Sequence, residues 1–482
     1  MGIEEGAFEV IVPSRYISFT VPNLLSSNFT DYLDAKNLQI SILDSPTPPS
    51  PPHRASQVAA MLVPRNREND WIFTTEAGHL QLLLSAPGIS RLILIGNAPN
   101  CDDDSCYLGK TYYAAAVVKD QTYMEKLEGI LHPLLIAFVP KEIAKSGISE
   151  IPFLRYEDNV ISGVILEVCV GSCVGEMLVE DVEIEDGPRR EFRRRLRFKR
   201  MPNLVQTQIR VVPSRCSGSG SDCLQIGEVD LLPDLGVLVH PYLAPMVASL
   251  SLISGFLQEK FQSMTRPRVM CIGVGGGSLL AFMGTQLGFE VVGVEVDEVV
   301  LSVARRHFGL QSGGFIQVYV GDGIEILNDL ACLGKIENNP GSSVAHDVAS
   351  DSYMDNVDVF SSKFDVIMVD LDSTDCRMCI CAPALEFMHK NVLLAAKSSL
   401  SEVGILVVNV MSLSRPLRDT FVCKLDEVFE ELYEIDAGNG ENYVFIATRS
   451  PVVPPPGDTE NPFLTQLRLV ISGAFIDSIR KI

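Results

Sequence analysis

Hydrophobic positions follow two regimes along this chain. From Val269 onward, short unbroken apolar runs alternate with stretches of helical spacing. The runs Val269–Ile272, Val291–Val294, Ile316–Val320, Phe364–Val369 and Ile405–Val410 predict buried strands. The intervening stretches Leu279–Leu287, Val299–His307, Ile324–Leu333, Ala382–Ser398 and Arg418–Glu430 predict helices. Such alternation predicts an α/β domain built on a mostly parallel sheet. Leu432–Ile435, the turn Gly438-Asn439-Gly440 and Tyr443–Thr448 then close it with a hairpin.

The earlier half is patterned differently. Residues 1–45 alternate apolar and polar positions, as in Phe8-Glu9-Val10-Ile11-Val12, and predict strands. Ser45–Pro52 is too proline-rich for a helix or central strand and reads as a linker or exposed loop. A strand at Ala59–Pro64, Trp71-Ile72-Phe73, a helix at Ala77–Ser85 and a strand at Leu92–Ile95 predict mixed α/β structure over 55–140. Val164–Val168 reads as another strand. Met177–Glu185 alternates apolar with acidic residues, Asp186-Gly187-Pro188 is a turn, and Arg189–Arg200 alternates apolar with basic residues. This predicts a β-hairpin with one acidic and one basic arm, in which Glu180, Asp181, Glu183 and Glu185 pair across to the arginines. Ser217–Ser221 marks a flexible break.

The most apolar window, Leu235–Leu257, is interrupted by His240, Pro241 and Pro245, which leaves less than the ~20 residues of a membrane span. It predicts a buried helix with a loop before it, and no membrane association. Phe463–Ile482 is amphipathic and reads as a docking helix. The expected organisation is 1–54 as N-terminal strands and linker, 55–220 as a mixed α/β and hairpin domain, 225–450 as the β/α domain, and 451–482 as a linker and helix.

Composition changes this picture little. The 482 residues include 39 Lys and Arg against 61 Asp and Glu, a net charge of −22. That balance argues against nucleic-acid binding, which needs clustered cations. The N-terminus carries no basic-then-apolar leader, and Gly6 stands where a myristoylation motif wants Ser or Thr. The expectation is a cytoplasmic protein whose 12 cysteines are free thiols. Cys376, Cys379 and Cys381 resemble half a metal site with no second pair nearby, so no metal is expected.

The chemistry concentrates in the β/α region. Gly273-Val274-Gly275-Gly276-Gly277 lies between a predicted buried strand and a helix, where glycine lets backbone approach a ligand. A side chain at Gly275 is expected to occupy ligand space. Glu295 ends the next strand about 20 residues on, where a carboxylate accepts from ribose hydroxyls, and Val296 follows it. Asp322-Gly323 ends the third strand, where Asp322 receives an adenine amino group or caps a helix. An NAD fingerprint wants Gly or Ala at the sixth loop position, and Ser278 stands there. That position and the closing hairpin favour S-adenosylmethionine. Gly273, Gly275, Gly277, Glu295, Val296, Asp322 and Gly323 are therefore the candidate cofactor residues. Asp370 ends the fourth strand, followed by Asp372 and Asp375; carboxylates there can orient an amine nucleophile. Asp370 and Asp372 are the candidate catalytic residues, and His240 and Tyr242 are candidates to line the acceptor pocket.

Met270–Leu279, Val294–Asp297, Gly321–Gly323 and Asp365–Ser373 together resemble the C-terminal domain of the elongation factor 1-alpha lysine and N-terminal methyltransferase family (methyltransferase-like 13). Met61–Arg65, Trp71–Phe73 and the hairpin around Phe192-Arg193-Arg194 resemble that family's middle region, so the resemblance covers roughly residues 55–450. It implies a Rossmann-like class I S-adenosylmethionine-dependent methyltransferase domain preceded by a mixed α/β and β-hairpin domain. It also implies a protein substrate, the N-terminal α-amine or a lysine of elongation factor 1-alpha. Gly273, Gly275, Glu295 and Asp322 would hold the cofactor, with Asp370 and Asp372 facing the acceptor. The same domain is similar to spermidine synthases. The alternatives are accordingly an aminopropyltransferase and a non-catalytic binding protein.

Overall fold

A computed structural model describes residues 6, 8–24, 32–46, 57–99, 108–113, 121–145, 151–187, 189–214, 225–337, 360, 362–373, 380–412, 415–452 and 461–482. Most of the Ser45–Pro52 linker, Ser217–Ser221, most of the Asn-, Ser- and Asp-rich stretch Lys335–Lys363 between the predicted helix Ile324–Leu333 and the strand Phe364–Val369, Asp375, Cys376 and Cys379 lie outside these residues. The chain forms two compact units. One comprises Met1–Cys169, Glu176–Val205 and Pro213–Asp230; the other comprises Val170–Gly175, Gln206–Val212 and Leu231–Ile482.

The first unit contains β1 (Tyr16–Pro22), β2 (Asn37–Asp44), β3 (Gln57–Leu62), α1 (Trp71–Thr74), α2 (Glu76–Leu84), β4 (Ile89–Asn97), β5 (Thr111–Tyr113), α3 (Gln121–Ile136), α4 (Lys141–Lys145) and β6 (Phe153–Leu154). One sheet runs β1-β2-β4-β3-β6, with β3 parallel to β4 and β6 and with β1 and β2 antiparallel. The Asp70 side chain caps α1 at the Ile72 amide, and Thr75 caps α2 at the Gly78 amide. Leu127, Leu131 and Leu135 of α3 form one stripe that closes the core over Ile40, Ile42, Ile93 and Ile95.

Phe8–Val12 is not a strand. The buried Arg91 guanidinium donates to the Phe8 and Val10 carbonyls (2.8 and 2.9 Å), as well as to both oxygens of Asp44 (2.6 and 3.0 Å). These carbonyls are satisfied by a side chain instead of a neighbouring strand. Val10 and Val12 stay exposed, so the alternation does not correspond to a buried face.

β7 (Val160–Gly171), β8 (Gly175–Asp186) and β9 (Arg189–Phe198) follow. The acidic and basic arms pair as the sequence indicates, with Glu180 opposite Arg195, Asp181 opposite Arg194 and Glu185 opposite Arg190. Ion pairs join Arg194 to Asp181 (2.7 Å), Arg197 to Glu180 (2.9 Å) and Arg190 to Glu183 (3.3 Å).

The second unit holds β10 (Val205–Pro213), β11 (Leu231–Pro233), α5 (Leu243–Ala248), a 3-10 turn Ser249–Ile253, α6 (Ser254–Gln262), β12 (Arg268–Ile272), α7 (Ser278–Thr285), β13 (Glu290–Glu295), α8 (Glu298–His307), β14 (Ile316–Val320) and α9 (Gly323–Glu337). It continues through β15 (Phe364–Val369), β16 (Ile380–Ala382), α10 (Lys390–Ser399), β17 (Leu400–Ser412), α11 (Arg415–Asp426), β18 (Glu431–Asp436), β19 (Asn442–Thr448), α12 (Pro462–Val470), α13 (Gly473–Asp477) and β20 (Arg480–Lys481). The sheet runs β14-β13-β12-β15-β17-β19-β18-β20, with β16 paired beside β17. β14, β13, β12, β15 and β17 are parallel, and β19 inserts antiparallel between β17 and β18. This is the Rossmann-like class I arrangement. Strand order reverses between β12 and β15, and ligands of such sheets bind outside the carboxyl ends at that reversal.

Two expected elements differ. Ala382 belongs to β16, where it pairs with Met411 of β17, and the helix starts only at Lys390. Pro383 disfavours helical backbone at Ala382, which suits the strand. Phe463–Ile482 is not one helix but α12, α13 and the edge strand β20. Phe463 and Leu467 are buried in the unit's own core, with Phe463 stacked on Phe261 at 5.8 Å. No helix among the described residues is long and apolar enough to cross a membrane.

Candidate cofactor and acceptor site

The parallel register brings four strand ends together. Ile272 lies beside both Val294 and Val369, and Glu295 beside Val320. Gly273, Glu295, Val296, Asp322, Gly323, Asp370 and Asp372 therefore share the carboxyl edge of one sheet.

The glycine loop is tightly specified by its surroundings. Gly273, Gly275 and Gly277 all have positive φ (84°, 52° and 77°), a region other residues rarely adopt. A Cβ at Gly273 would meet the Asp370 carbonyl at 2.2 Å, one at Gly275 the Thr207 hydroxyl at 2.8 Å, and one at Gly277 the Leu310 side chain at 2.8 Å. The crowding at Gly275 thus comes from within the protein.

Every amide from Gly273 to Gly277 is used internally. Gly273 donates to the Val294 carbonyl (2.9 Å) and Gly277 to the Val274 carbonyl (2.8 Å). Val274 and Gly275 both donate to Glu295 Oε2 (3.1 and 3.2 Å), and Gly276 donates to Thr207 Oγ1 (2.8 Å). Glu295 Oε1 accepts from the Asp297 amide (3.2 Å). Burial raises the Glu295 pKa above the ordinary value, and the Val274, Gly275 and Asp297 amides oppose that rise only in part. Asp322 is exposed at the mouth, and its Oδ1 caps α9 by accepting from the Ile324 amide (2.7 Å). Val296 is 45% exposed beside it, an apolar surface at the mouth. Gly323 packs on Ile272, where a Cβ would come within 2.3 Å.

Asp370 sits at the strand reversal. Its Oδ2 accepts from the Tyr242 hydroxyl (2.8 Å) and its Oδ1 from the Asn409 amide (2.9 Å). Asn409 in turn accepts from Asn442 (3.0 Å). Burial pushes the Asp370 carboxyl up to about 6; the two hydrogen bonds lower it and the Asp372 charge raises it further. Burial, then the Asp370 charge, holds the Tyr242 phenol well above its ordinary range. Among the described residues, the hydrogen-bond partners of this carboxylate, Tyr242 and Asn409, are both neutral. His240 packs edge-on against Tyr242 at 4.6 Å.

The chain is similar to curated methyltransferases. It is 26% identical over 424 residues to the eEF1A lysine and N-terminal methyltransferase of Danio rerio, covering 85% of this chain and 53% of the relative. Against the Homo sapiens protein of the same name it is 24% identical, covering 82% and 51%. The chain thus spans about half the length of the curated relatives it matches. Among solved structures, human methyltransferase-like protein 13 in complex with SAH aligns at 22% identity and a TM-score of 0.36, covering 49% of this chain and 92% of that one. A probable spermidine synthase from Corynebacterium glutamicum aligns at 12% identity and a TM-score of 0.40, covering 65% and 89%. No protein-family model matches the chain.

Two groups of site residues escaped sequence reasoning. Asn409 is a polar residue inside the otherwise apolar Ile405–Val410 run, which is a usable signal. Thr207 carries none: it reaches Gly276 across 69 residues of sequence. Among the described residues no group of His, Cys, Asp and Glu is placed to hold a metal ion.

Proposed function

We propose that this chain is an S-adenosylmethionine-dependent protein N-methyltransferase. The observation that carries the reading is the state of the glycine loop. With every amide from Gly273 to Gly277 already donated, the loop offers no backbone donor to a pyrophosphate. Glu295, Asp370 and Asp372 line the same edge, and carboxylates repel a dinucleotide's phosphates while attracting a sulfonium. These residues fit S-adenosylmethionine better than NAD, and the cofactor would supply an electrophilic methyl group there. Gly273, Gly275 and Gly277 shape the floor of the site, Glu295 meets the ribose, and Val296, Asp322 and Gly323 meet the adenine.

Asp370 and Asp372 then face the acceptor. An amine attacking in line shares its lone pair with the methyl carbon and becomes positive, and the Asp370 carboxylate, whose partners Tyr242 and Asn409 are neutral, stabilises that charge. The similarity to curated relatives supports a protein amine of elongation factor 1-alpha, either the N-terminal α-amine or a lysine, as the acceptor. A cytoplasmic location belongs to the same proposal.

The test is mass spectrometry of elongation factor 1-alpha after incubation with the chain and S-adenosylmethionine. Added methyl groups at one amine are the expected result. Unmodified factor, together with aminopropylation of putrescine from decarboxylated S-adenosylmethionine, would replace this reading with the aminopropyltransferase.

A further inference from the structure

We propose that Thr207 is a positioning residue of the cofactor site, whose hydroxyl holds the glycine loop closed to phosphate and so helps to make the site selective for a donor without a diphosphate. The inference rests on the function proposed above and assigns a role to a residue far outside the β/α sequence.

Thr207 is 5% exposed on β10, and its Oγ1 accepts the Gly276 amide at 2.8 Å in a buried contact. That amide is the one member of the loop whose acceptor comes from outside the β/α sequence; the Glu295 side chain and the Val294 and Val274 carbonyls take the others. The fit is close on all sides. A Cβ at Gly276 would lie 2.4 Å from Thr207 Cγ2 and 3.0 Å from the Phe308 ring. One threonine therefore uses its hydroxyl to satisfy the amide and its methyl to demand glycine at 276.

The adjacent turn is braced in the same manner. Asp297 Oδ2 accepts the Cys173 and Val174 amides (2.7 and 3.1 Å), while its Oδ1 caps α8 at the Val299 amide (3.0 Å). Both turns that shape the site are thus tied to Val170–Gly175 or Gln206–Val212, which pack with Leu231–Ile482 as one compact unit. Without the hydroxyl, a buried amide would lack an acceptor and the loop would lose its fixed geometry.

The experiment compares the full chain with Thr207→Val and Thr207→Ser. Calorimetry measures S-adenosylhomocysteine and ADP affinity, and steady-state kinetics measures methyl transfer. Thr207→Val is expected to weaken S-adenosylhomocysteine binding and raise the KM for S-adenosylmethionine about tenfold. Its kcat at saturating cofactor should stay within about twofold. The ratio of S-adenosylhomocysteine to ADP affinity should fall, and Thr207→Ser should restore it. Hydrogen exchange over the 273–277 loop should be slow in the unaltered chain whether or not the valine variant folds. Unaltered affinity in Thr207→Val, failure of serine to rescue, or fast loop exchange in the unaltered chain overturns the inference while leaving the methyltransferase reading intact. Absence of S-adenosylhomocysteine binding by the unaltered chain overturns both.

Discussion

Buried carboxylates occur in two regions of this chain, and they are treated in opposite ways. In the hairpin unit, Asp70 lies between Arg67 (2.8 Å) and Arg197 (2.9 Å), and Asp181 pairs with Arg194. Burial alone would raise the Asp70 pKa, but the two guanidiniums outweigh it and hold the group well below the usual carboxylate range. At the sheet edge, Asp370 has Tyr242 and Asn409, and Glu295 has backbone amides. Their pKa values rise instead. The same residue types are neutralised by arginine where they hold structure together, and at the sheet edge their partners among the described residues are neutral. The arginine-rich arm, the most conspicuous charge feature of the sequence, thus belongs to the first class, with its partners inside the fold.

The largest expected effect is on stability. Asp70→Asn leaves Arg67 and Arg197 buried without their shared partner and should destabilise the first unit by about 3–5 kcal/mol in urea unfolding. Because the folded pKa is depressed, the contribution of Asp70 is present above the unfolded value and is lost as pH falls through the folded one. A loss under about 1 kcal/mol would show that the guanidiniums are compensated elsewhere.

Next comes Glu295→Ala, which removes the acceptor of three amides. Cofactor affinity should fall by about 1–3 kcal/mol, read by calorimetry, and some stability should go with it. Unaltered affinity would mean that the loop keeps its shape without the carboxylate.

Asp370 sharpens the comparison through pH. Its folded pKa stands near 6 against an ordinary value of 3.8, so the charged form needed by an acceptor amine fills as pH rises. Methyl transfer should climb in two steps, one through about pH 6 as Asp370 ionises and a second at higher pH as the acceptor amine loses its proton, about pH 8 for an ordinary α-amine, and Asp370→Asn should abolish the first step. The stability sign is opposite to that of Asp70. Ionising a group with a raised folded pKa destabilises the fold as pH rises between the two values. Asp370→Asn should therefore melt no lower than the unaltered chain at pH 8, and by up to about 1–2 kcal/mol more stably. A clear drop in melting temperature would make Asp370 a structural residue.

These contrasts were unevenly legible in the sequence. The strands β12, β13 and β15 are buried on both faces, so unbroken apolar runs marked them, and the acidic residues at their ends were found by position alone. The pairing of Asp181 with Arg194 followed from strand alternation around one turn. Helix α3 left no clear signal because Pro133 interrupts it, although its leucine stripe packs normally. The misread strand at Phe8–Val12 failed for a different reason: a buried arginine 81 residues away claims the Val10 carbonyl. Thr207 and the Tyr242–Asp370 bond likewise depend on contacts over long separations, which periodicity does not encode.

The smallest expected effect tests where the first class of carboxylate ends. Arg190 is on the basic arm, yet its side chain is 71% exposed and its contact with Glu183 is 3.3 Å. Water already solvates such a guanidinium, so Arg190→Ala should alter stability by less than about 0.5 kcal/mol. Arg194, whose side chain is 10% exposed beside a 4% exposed Asp181, should lose several times more when replaced by alanine, because a buried carboxylate is then left alone. Urea midpoints of the two variants, measured side by side, separate the cases. A similar loss in both would mean that the basic arm acts as one connected network, with burial no longer deciding which arginines hold the hairpin. A loss confined to Arg194→Ala would fix the rule that a charge holds this fold together only where its partner is out of water.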